Sequence, residues 1–437
     1  MVQFPQYESY KDSGVEWIGQ IPDTWKVLPL TKYTKSLVDY RGKTPTKVDF
    51  GIFLVTAKNI KNGIIDYRLS QEYIAENQYT QVMSRGRPQI DDLLFTTEAP
   101  LGEVALIDKT EIALAQRIIK FRLDKQYLLP KFTKYSIISR YFQNYLQSEA
   151  TGSTAQGIKS SKLHKLKIIS PPLEEQKKIV DFLDKKTAEI DKAIAQKQKL
   201  IELLQEQKAI LINRAVTKGL NPNVTMRDSG IEWIGDIPEH WEVKKIKYLV
   251  SRIDYGLSES AKSEGEYKYL NMGHIQNGEV LLEKTGYLDN VPNSLLLEHH
   301  DILFNRTNSF ELVGKSGIYN GSFSEKVTFA SYLVRLRTNN KANPIWLNGI
   351  LNDNCFLESI RSLALRSLNQ ANLNPTRLSQ VFVPVPPVHE QSNIADALIK
   401  IKNSFENQIN YADKSINLYL ELKQILISNA VTGKIKI

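Results

Sequence analysis

Residues 12–27 read DSGVEWIGQIPDTWKV, and residues 228–243 read DSGIEWIGDIPEHWEV. Eleven of the sixteen positions are identical, at an offset of 216. An offset of 215 likewise pairs the PPLEEQ of residues 171–176 with the PPVHEQ of residues 386–391. Solenoid repeats are much shorter, about 20–50 residues. A period of half the chain therefore indicates two copies of a whole domain with its connector.

Each copy ends in a segment with the features of a long helix. Neither proline nor glycine occurs between Pro172 and Gly219, or between Pro387 and Gly433. Mostly apolar residues recur there at coiled-coil spacing. The first seam comprises Val180, Leu183, Thr187, Ile190, Ile194, Lys197, Ile201, Leu204, Lys208, Leu211 and Ala215, and the second lies 215 positions later. We expect the two helices to pack antiparallel on each other; the alternative is that each folds onto the sheet of its own domain.

The segments before the helices combine short alternating runs with helical stretches. Strands are predicted at 92–95 and 118–123, with counterparts at 301–304 and 332–337, and helical stretches at 135–147 and 344–364. The predicted fold is a mixed α/β (α+β) arrangement. In it, two globular domains are joined by two long antiparallel coiled-coil helices in an internal pseudo-twofold repeat. The expected boundaries are domain 1 at 1–170, connector helix 1 at 171–218, domain 2 at 219–385 and connector helix 2 at 386–437.

Composition limits the class of protein. The net charge is +9, yet the helical segments 174–217 and 389–432 carry only +1 and −1, so the positive charge lies in the globular parts. Basic domains suit phosphate, although a charge of this size also serves solubility alone. With the single cysteine Cys355, no signal-peptide pattern and no membrane-length apolar run, the chain is expected in the cytoplasm without a membrane association.

The two halves share strands but differ in the polar residues that follow them. The candidate contact residues are Lys58, Asn59, Thr97, Glu98, Gln116 and Arg117 in domain 1, and Asn271, His274, Arg306, Asn308, Asn369, Gln370 and Asn372 in domain 2. Their side chains carry donors and acceptors that can distinguish base edges. Neutral drift of surface loops is the alternative, and Gln116, Arg117 and residues 369–372 could instead be structural turn residues.

Catalytic motifs are missing from the sequence. The Pro-Pro pairs stand at helix starts rather than in an Asn/Asp-Pro-Pro-aromatic loop, and no Gly-x-Gly occurs. The Gly314-Lys315-Ser316 run lacks the first glycine of a phosphate loop, because position 309 is serine. The six histidines have no metal-ligand spacing. We therefore expect no active site, no metal and no cofactor in this chain.

The whole set of motifs resembles the specificity subunit of a type I restriction-modification enzyme. The matching segments are residues 12–22 with their copy at 228–238, residues 97–105, residues 303–309, and residues 171–176 with their copy at 386–391. The second half lacks the Glu-Ala-Pro-Leu-Gly turn of residues 98–102. This departure indicates that the two domains read different half-sites.

The resemblance implies a non-catalytic, DNA-binding chain with two target-recognition domains, each gripping half of a bipartite, asymmetric site in double-stranded DNA. It implies that the helix pair sets the spacer and docks two methyltransferase (modification) subunits. Those subunits would bind S-adenosylmethionine and methylate adenine at N6. Restriction subunits, which are translocases, would join in the full complex, a type I site-specific deoxyribonuclease. The competing interpretation is a coiled-coil adaptor with two protein-binding domains; a catalytic methyltransferase or nuclease is a third.

Overall fold

The computed structural model describes residues 4–41, 44–151, 156–321, 325–366 and 370–437. By its internal contacts the chain divides into two units, residues 1–197 with 414–437, and residues 198–413. Each unit contains one globular segment and parts of both long helices. The domain boundaries expected from the sequence follow the globular segments and helices instead, and they stay a prediction.

Both units combine strands and helices, in agreement with the predicted mixed fold. The strands of the first unit are Tyr10–Asp12, Gln20–Pro22, Lys26–Pro29, Thr34–Asp39, Lys47–Val48, Ile52–Val55, Ile60–Lys61, Ile64–Ile65, Tyr73–Ile74, Leu93–Thr97, Leu101–Leu106, Ile112–Leu114, Ile118–Leu123 and Lys167–Ser170. Those of the second are Met226–Asp228, Asp236–Pro238, Glu242–Lys245, Val250–Tyr255, Tyr267–Leu270, Ile275–Gln276, Glu279–Val280, Gly286–Leu288, Ile302–Asn305, Thr307–Asn308, Ser316–Ile318, Val327–Phe329, Leu333–Thr338, Leu365–Arg366, Ala371–Asn372 and Phe382–Val385. The α-helices are Tyr79–Val82, Pro130–Ile138, Arg140–Glu149, Leu173–Lys218, Pro344–Leu351, Asn354–Arg361, Pro375–Ser379 and Val388–Val431.

The two globular segments are built on the same antiparallel sheet. In the first, the strand order is 101–106, 93–97, 118–123, 34–39. In the second, the strands 316–318, 302–305, 333–338 and 250–255 follow in the corresponding order. A parallel pair accompanies each sheet: Ile52–Val55 with Ile112–Leu114, and Tyr267–Leu270 with Val327–Phe329. The scaffold is therefore duplicated along with the sequence motifs.

Each predicted helical stretch of the globular segments is two helices rather than one. Pro130–Ile138 ends at Ser139, which is extended and precedes Arg140–Glu149. In the second unit, Asp353 starts a new helix because its carboxylate accepts the Phe356 N–H at 3.1 Å. Capping by a short polar side chain competes with continuation of the preceding helix.

Buried charges lie at matching positions beneath both sheets. Lys120 and Arg122 pair with Asp92, at 3.2 and 2.8 Å. Their counterparts Arg335 and Arg337 lie 3.8 and 2.8 Å from Asp301. Burial lowers the pKa of Lys120, and the Asp92 carboxylate counteracts part of that shift. Such pairs avoid the large cost of an isolated buried charge. In the second sheet Arg335 has a nearer partner, Asp254 at 2.5 Å, where the first sheet has Val38.

The repeated motifs join each globular segment to its long helix. The Trp25 indole donates to Glu175, and the Trp241 indole donates to Glu390 at 2.8 Å. Trp25 and Trp241 are fully buried. The short ribbons Lys26–Pro29 with Lys167–Ser170, and Glu242–Lys245 with Phe382–Val385, lead into the helix starts. The near-identity of these motifs therefore follows from their common task at the domain–helix junction.

Buried glutamines complete these junctions. The Gln176 amide accepts from the Leu129 N–H and donates to the Tyr127 and Pro171 carbonyls, all at 2.9 Å. Gln391 does the same for the Asn343 N–H and the Lys341 and Pro386 carbonyls, at 2.8–3.0 Å. A buried amide in this position satisfies backbone groups of a loop that would otherwise be unpaired.

The long helices pack antiparallel within each unit, as predicted from the two seams. In the first unit, Leu183 near the start of one helix shares a core with Ile427 near the end of the other. In the second, Val216 shares a core with Leu398. Every seam position in both helices is buried or half-buried. The alternative was that each helix packs only on the sheet of its own domain. It describes part of the packing, because each helix also contacts the other helix.

The lysines in the seams form equivalent ion pairs. Lys208 lies 3.1 Å from Glu406 in the second unit, and Lys423 lies 2.7 Å from Asp191 in the first. Adding the repeat offset of 215 to Lys208 and Asp191 gives Lys423 and Glu406. The two lysines thus occupy the same place in the duplicated helix pair.

Candidate nucleic-acid interface

The candidate residues of domain 1 follow strands that end side by side. Val55 pairs in parallel with Leu114, and the Ala115 N–H continues this pairing by donating to the Val55 carbonyl at 3.0 Å. The Thr97 N–H and hydroxyl both donate to the Arg117 carbonyl, at 2.9 and 3.2 Å. These bonds bring the ends of three strands together. We call Lys58, Thr97, Glu98, Gln116 and Arg117 the first strand-end cluster.

A concave pocket connects part of this cluster. It has a volume of about 160 Å³ and is lined by Lys58, Gln116 and Arg117, among others. Arg117 is exposed and has a left-handed backbone (φ +68°). Its guanidinium lies 3.7 Å from the Glu98 carboxylate. Two cations, Lys58 and Arg117, and the amide of Gln116 therefore line one concave surface, with Glu98 beside Arg117.

Two domain 1 candidates lie inside the protein. Thr97 is buried, and its hydroxyl is used within the cluster. Asn59 is fully buried, and its amide oxygen accepts from the Thr56 N–H and hydroxyl, both at 2.9 Å. Its amide nitrogen donates to the carbonyls of Asp66 and Leu69. Asn59 thus fixes its own loop, and its predicted contact with DNA is not supported by this geometry. Gln116 remains half-buried and donates to the Thr44 hydroxyl.

The corresponding turn of domain 2 uses different side chains for the same task. Asn271 caps the turn Met272–His274 by accepting the Gly273 N–H at 2.9 Å, and it is exposed. His274 is buried, and its Nδ1 accepts the Asn271 N–H at 3.0 Å. Asn271 and His274 thus stand where Thr56 and Asn59 stand in domain 1. As with Asn59, the role that the structure shows for His274 is to hold the turn.

Arg306 is the centre of the second cluster. Its N–H donates to the Tyr332 carbonyl at 3.0 Å, which is the equivalent of the Thr97–Arg117 bond of domain 1. Its guanidinium donates to the carbonyl of Ser331 and the amide oxygen of Asn372, at 3.3 and 3.2 Å. It also lies 5.2 Å from the centre of the Tyr255 ring. We call Tyr255, Arg306, Asn308, Ser331 and Asn372 the second strand-end cluster.

The remaining domain 2 candidates border this cluster. Asn308 is half-buried and pairs with Ala371 in a short ladder in which Thr307 pairs with Asn372. Gln370 is exposed and precedes that ladder. Asn369 lies outside the described residues. Tyr255 and Ser331 were missed by the sequence analysis. The strand that ends at Tyr255 does not alternate between apolar and polar residues, so its sequence gives little signal. Ser331 acts through its backbone carbonyl, which any residue type carries.

Neither a metal-binding group nor a membrane-spanning helix is found in the part of the chain that the structure describes. Within it, no group of three histidine, cysteine, aspartate or glutamate side chains is placed to hold a metal ion. Among its helices, none has the length and apolar character needed to cross a membrane.

Comparisons with known proteins agree with the fold and the motifs. The family model described as type I restriction modification DNA specificity domain matches residues 50–203 and 238–412. The type I restriction enzyme MjaVIII specificity subunit of Methanocaldococcus jannaschii is 25% identical over 98% of this chain and 99% of its own length. The EcoKI specificity subunit of Escherichia coli K12 is 21% identical, over 95% of this chain and 90% of that one.

A solved structure shows the same fold. A chain from work on complex assembly and conformational transition of the type I R-M system superposes with a TM-score of 0.72, at 17% identity, over 94% of this chain and 98% of that one. The family match falls once in each copy of the repeat and together spans most of the sequence. The protein belongs to the family of type I restriction-modification DNA specificity subunits.

Proposed function

We propose that each globular domain binds one half of a bipartite, asymmetric site in double-stranded DNA. The observation that carries the proposal is the pair of strand-end clusters. The same backbone bond, from Thr97 to Arg117 and from Arg306 to Tyr332, presents different side chains in the two domains. Two domains with the same backbone arrangement but different side chains at the strand ends are suited to recognise different DNA sequences.

The distribution of charge supports DNA as the partner. The connector helices are neutral together, whereas the globular parts carry the excess of positive charge. Lys58 and Arg117 are exposed in the first cluster, where phosphate or base edges can reach them. Contacts with phosphates supply affinity, and contacts with bases supply specificity. In this proposal the chain itself catalyses nothing and works in the cytoplasm.

The connector helices are proposed to dock two methyltransferase subunits. Apolar residues outside the seams are exposed at equivalent positions: Leu203 at 50% and Ile210 at 59% in the second unit, Leu418 at 65% and Ile425 at 42% in the first. Each pair is spaced by seven residues and so lies on one helix face. Exposed apolar groups in a repeated pattern suit two identical protein partners. S-adenosylmethionine would be bound by those partners, which methylate adenine at N6, and restriction subunits would join them.

The helices are also proposed to set the spacer between the half-sites. Leu173–Lys218 and Val388–Val431 have 46 and 44 residues, which corresponds to roughly 65–70 Å of helix. They are continuous, and the symmetric ion pairs Lys208–Glu406 and Lys423–Asp191 favour one antiparallel register. In this proposal the helix pair determines how much DNA lies between the two half-sites.

Selection from a randomised duplex library tests this function. The chain, co-purified with the methyltransferase subunits of its own system, should enrich two short defined segments separated by a fixed, undefined spacer. The affinity for such a duplex should fall steeply with salt, because phosphate contacts release counterions. Enrichment of no sequence, with partner binding intact, would instead favour the protein-binding adaptor.

A further inference from the structure

The guanidinium of Arg306 is held by three separate segments of domain 2. Ser331 provides a carbonyl acceptor, Asn372 provides an amide acceptor, and the Tyr255 ring lies against the cation. Asn372 is itself fixed, because its amide nitrogen donates to the Thr307 hydroxyl at 2.9 Å. The amide oxygen must therefore face Arg306. A half-buried arginine with this support is positioned before any ligand arrives.

Two buried polar atoms at this strand end have no hydrogen-bond partner within the described part of the chain. They are the Nε of Arg306 and the Oδ1 of Asn305. Burying an unpaired donor or acceptor is unfavourable, and native proteins keep few of them. A residue that served only the fold would gain by satisfying these atoms. This strand end thus keeps two unpaired buried groups beside a guanidinium whose terminal nitrogens are held by Ser331 and Asn372.

Domain 1 has no equivalent arginine. The corresponding residue is Thr97, which is buried and bonded within its own cluster. The cations of the first cluster are Lys58 and Arg117, which are both exposed, and Arg117 lies 3.7 Å from the Glu98 carboxylate. The contact made by Arg306 is therefore specific to the second domain.

We propose that Arg306 reads a guanine in the second half-site, by donating to its O6 and N7 in the major groove, with Tyr255 and Asn372 as positioning residues. This inference rests on the proposed function. The planar guanidinium fork matches those two acceptors, which are adjacent on the guanine edge. A phosphate contact needs no such fixed orientation, because it is satisfied by a mobile cation at the rim.

The experiment replaces each guanine of the second half-site in turn by 7-deazaguanine, which lacks the N7 acceptor. Binding is measured with the chain in complex with its methyltransferase subunits. At one position the substitution should weaken binding of the wild-type protein by roughly 5-fold, the lower end of the range for a bidentate base contact, because O6 remains as an acceptor. The Arg306→Ala variant should bind more weakly and should no longer respond to the substitution there. Substitutions in the first half-site should affect both proteins equally.

Several results would overturn the inference. If no guanine of the second half-site responds, or if Arg306→Ala keeps the full response, Arg306 does not read N7. If Arg306→Ala weakens binding to all duplexes alike, the residue contacts phosphate. In each of these cases the wild-type protein still prefers its bipartite site, so the proposed function stands. If the wild type prefers no bipartite site, the proposed function and this inference fall together.

Variants of the neighbours test the positioning roles. Tyr255→Phe keeps the ring and should keep the 7-deaza response, whereas Tyr255→Ala and Asn372→Ala should reduce it. Arg252→Ala is the matched control, because Arg252 is an exposed residue on the same strand as Tyr255. An unchanged midpoint of thermal unfolding of the second unit shows that each variant is folded. An undiminished response in both Tyr255→Ala and Asn372→Ala would contradict the positioning roles.

Discussion

Polar residues at the strand ends divide into those that hold loops and those that face outward. Asn59 and His274 occupy equivalent buried positions and bond to their own turns. Lys58 and Arg117 are exposed beside one pocket. Burial thus separates the side chains that hold the turns from those that a ligand could reach.

The Asn59→Ala variant should destabilise the first unit. It removes an amide that serves the backbone of Thr56 and the carbonyls of Asp66 and Leu69, and it leaves these groups unpaired. We expect a loss of about 1–3 kcal/mol in the free energy of unfolding, measured by denaturant titration. Lys58→Ala is the adjacent control and should change stability by less than about 0.5 kcal/mol, as is usual for an exposed position. Equal effects of the two variants would contradict the structural role of Asn59.

The Arg117→Ala variant should affect the first half-site alone. Arg117 is an exposed cation of the first strand-end cluster, and its guanidinium lies 3.7 Å from the Glu98 carboxylate. We expect binding to the bipartite duplex to weaken, while selectivity for the second half-site is unchanged. Competition with duplexes altered in either half measures this. Weakened selectivity for the second half would show that the clusters do not act separately.

The nearly identical motifs of the two halves lie at the junctions between each globular segment and its long helix. Glu175 and Glu390 accept from a buried tryptophan, and the following glutamine ties the helix start to a loop. Both features need an exact residue type, because a buried hydrogen-bonding partner cannot be replaced without leaving others unpaired. The strand-end loops differ between the halves, and their equivalent turns are held by different residues, Asn59 and His274.

The Gln391→Ala variant should destabilise the second unit by at least about 1–3 kcal/mol, the cost of one unpaired buried group. It leaves the Asn343 N–H and the Lys341 and Pro386 carbonyls without their partner. Thermal unfolding compared with Gln380→Ala, an exposed glutamine of the same unit, gives the measurement. A midpoint for Gln391→Ala that matches this control would show that the junction does not depend on the amide.

Docking of partner subunits can be tested on one helix face at a time. Leu203→Asp with Ile210→Asp places charges on an exposed apolar face of the second unit, and Leu418→Asp with Ile425→Asp does so in the first. Because interfaces exclude unpaired charges, each double variant should retain one methyltransferase subunit instead of two. Native mass spectrometry of the purified complex counts them. Two retained subunits in both variants would place the docking surface elsewhere.

The helices were the most predictable elements of the structure. The seam spacing predicted both long helices and their antiparallel packing, because periodicity reports burial directly. The sequence does not reveal the breaks at Ser139 and Asp353. The side chain of Asp353 could equally face solvent or cap a new helix, and Ser139 precedes its helix with an extended backbone and without a side-chain cap bond. For the clusters, sequence could identify polar residues after strands. It could not tell that Asn59 is buried, or that Tyr255 would lie against Arg306.

In the whole molecule, the duplication gives two domains with the same sheet and the same junction to a long helix. The divergence of the strand ends gives these two domains different surfaces. The junctions, the buried ion networks and the interhelical ion pairs recur in both units. The strand-end clusters do not recur in their side chains. We therefore propose a common structural role for the repeated junctions and ion pairs. The two strand-end clusters would each recognise a different half-site.

The most direct test of this central claim is the pattern of adenine methylation in the genome of cells that express the chain with its methyltransferase subunits. Modification-sensitive sequencing of these cells should show one asymmetric motif with two defined parts and a fixed spacer. Exchange of residues 219–385 for those of another specificity subunit should change one part only. A continuous motif, or a change in both parts after the exchange, would contradict the account.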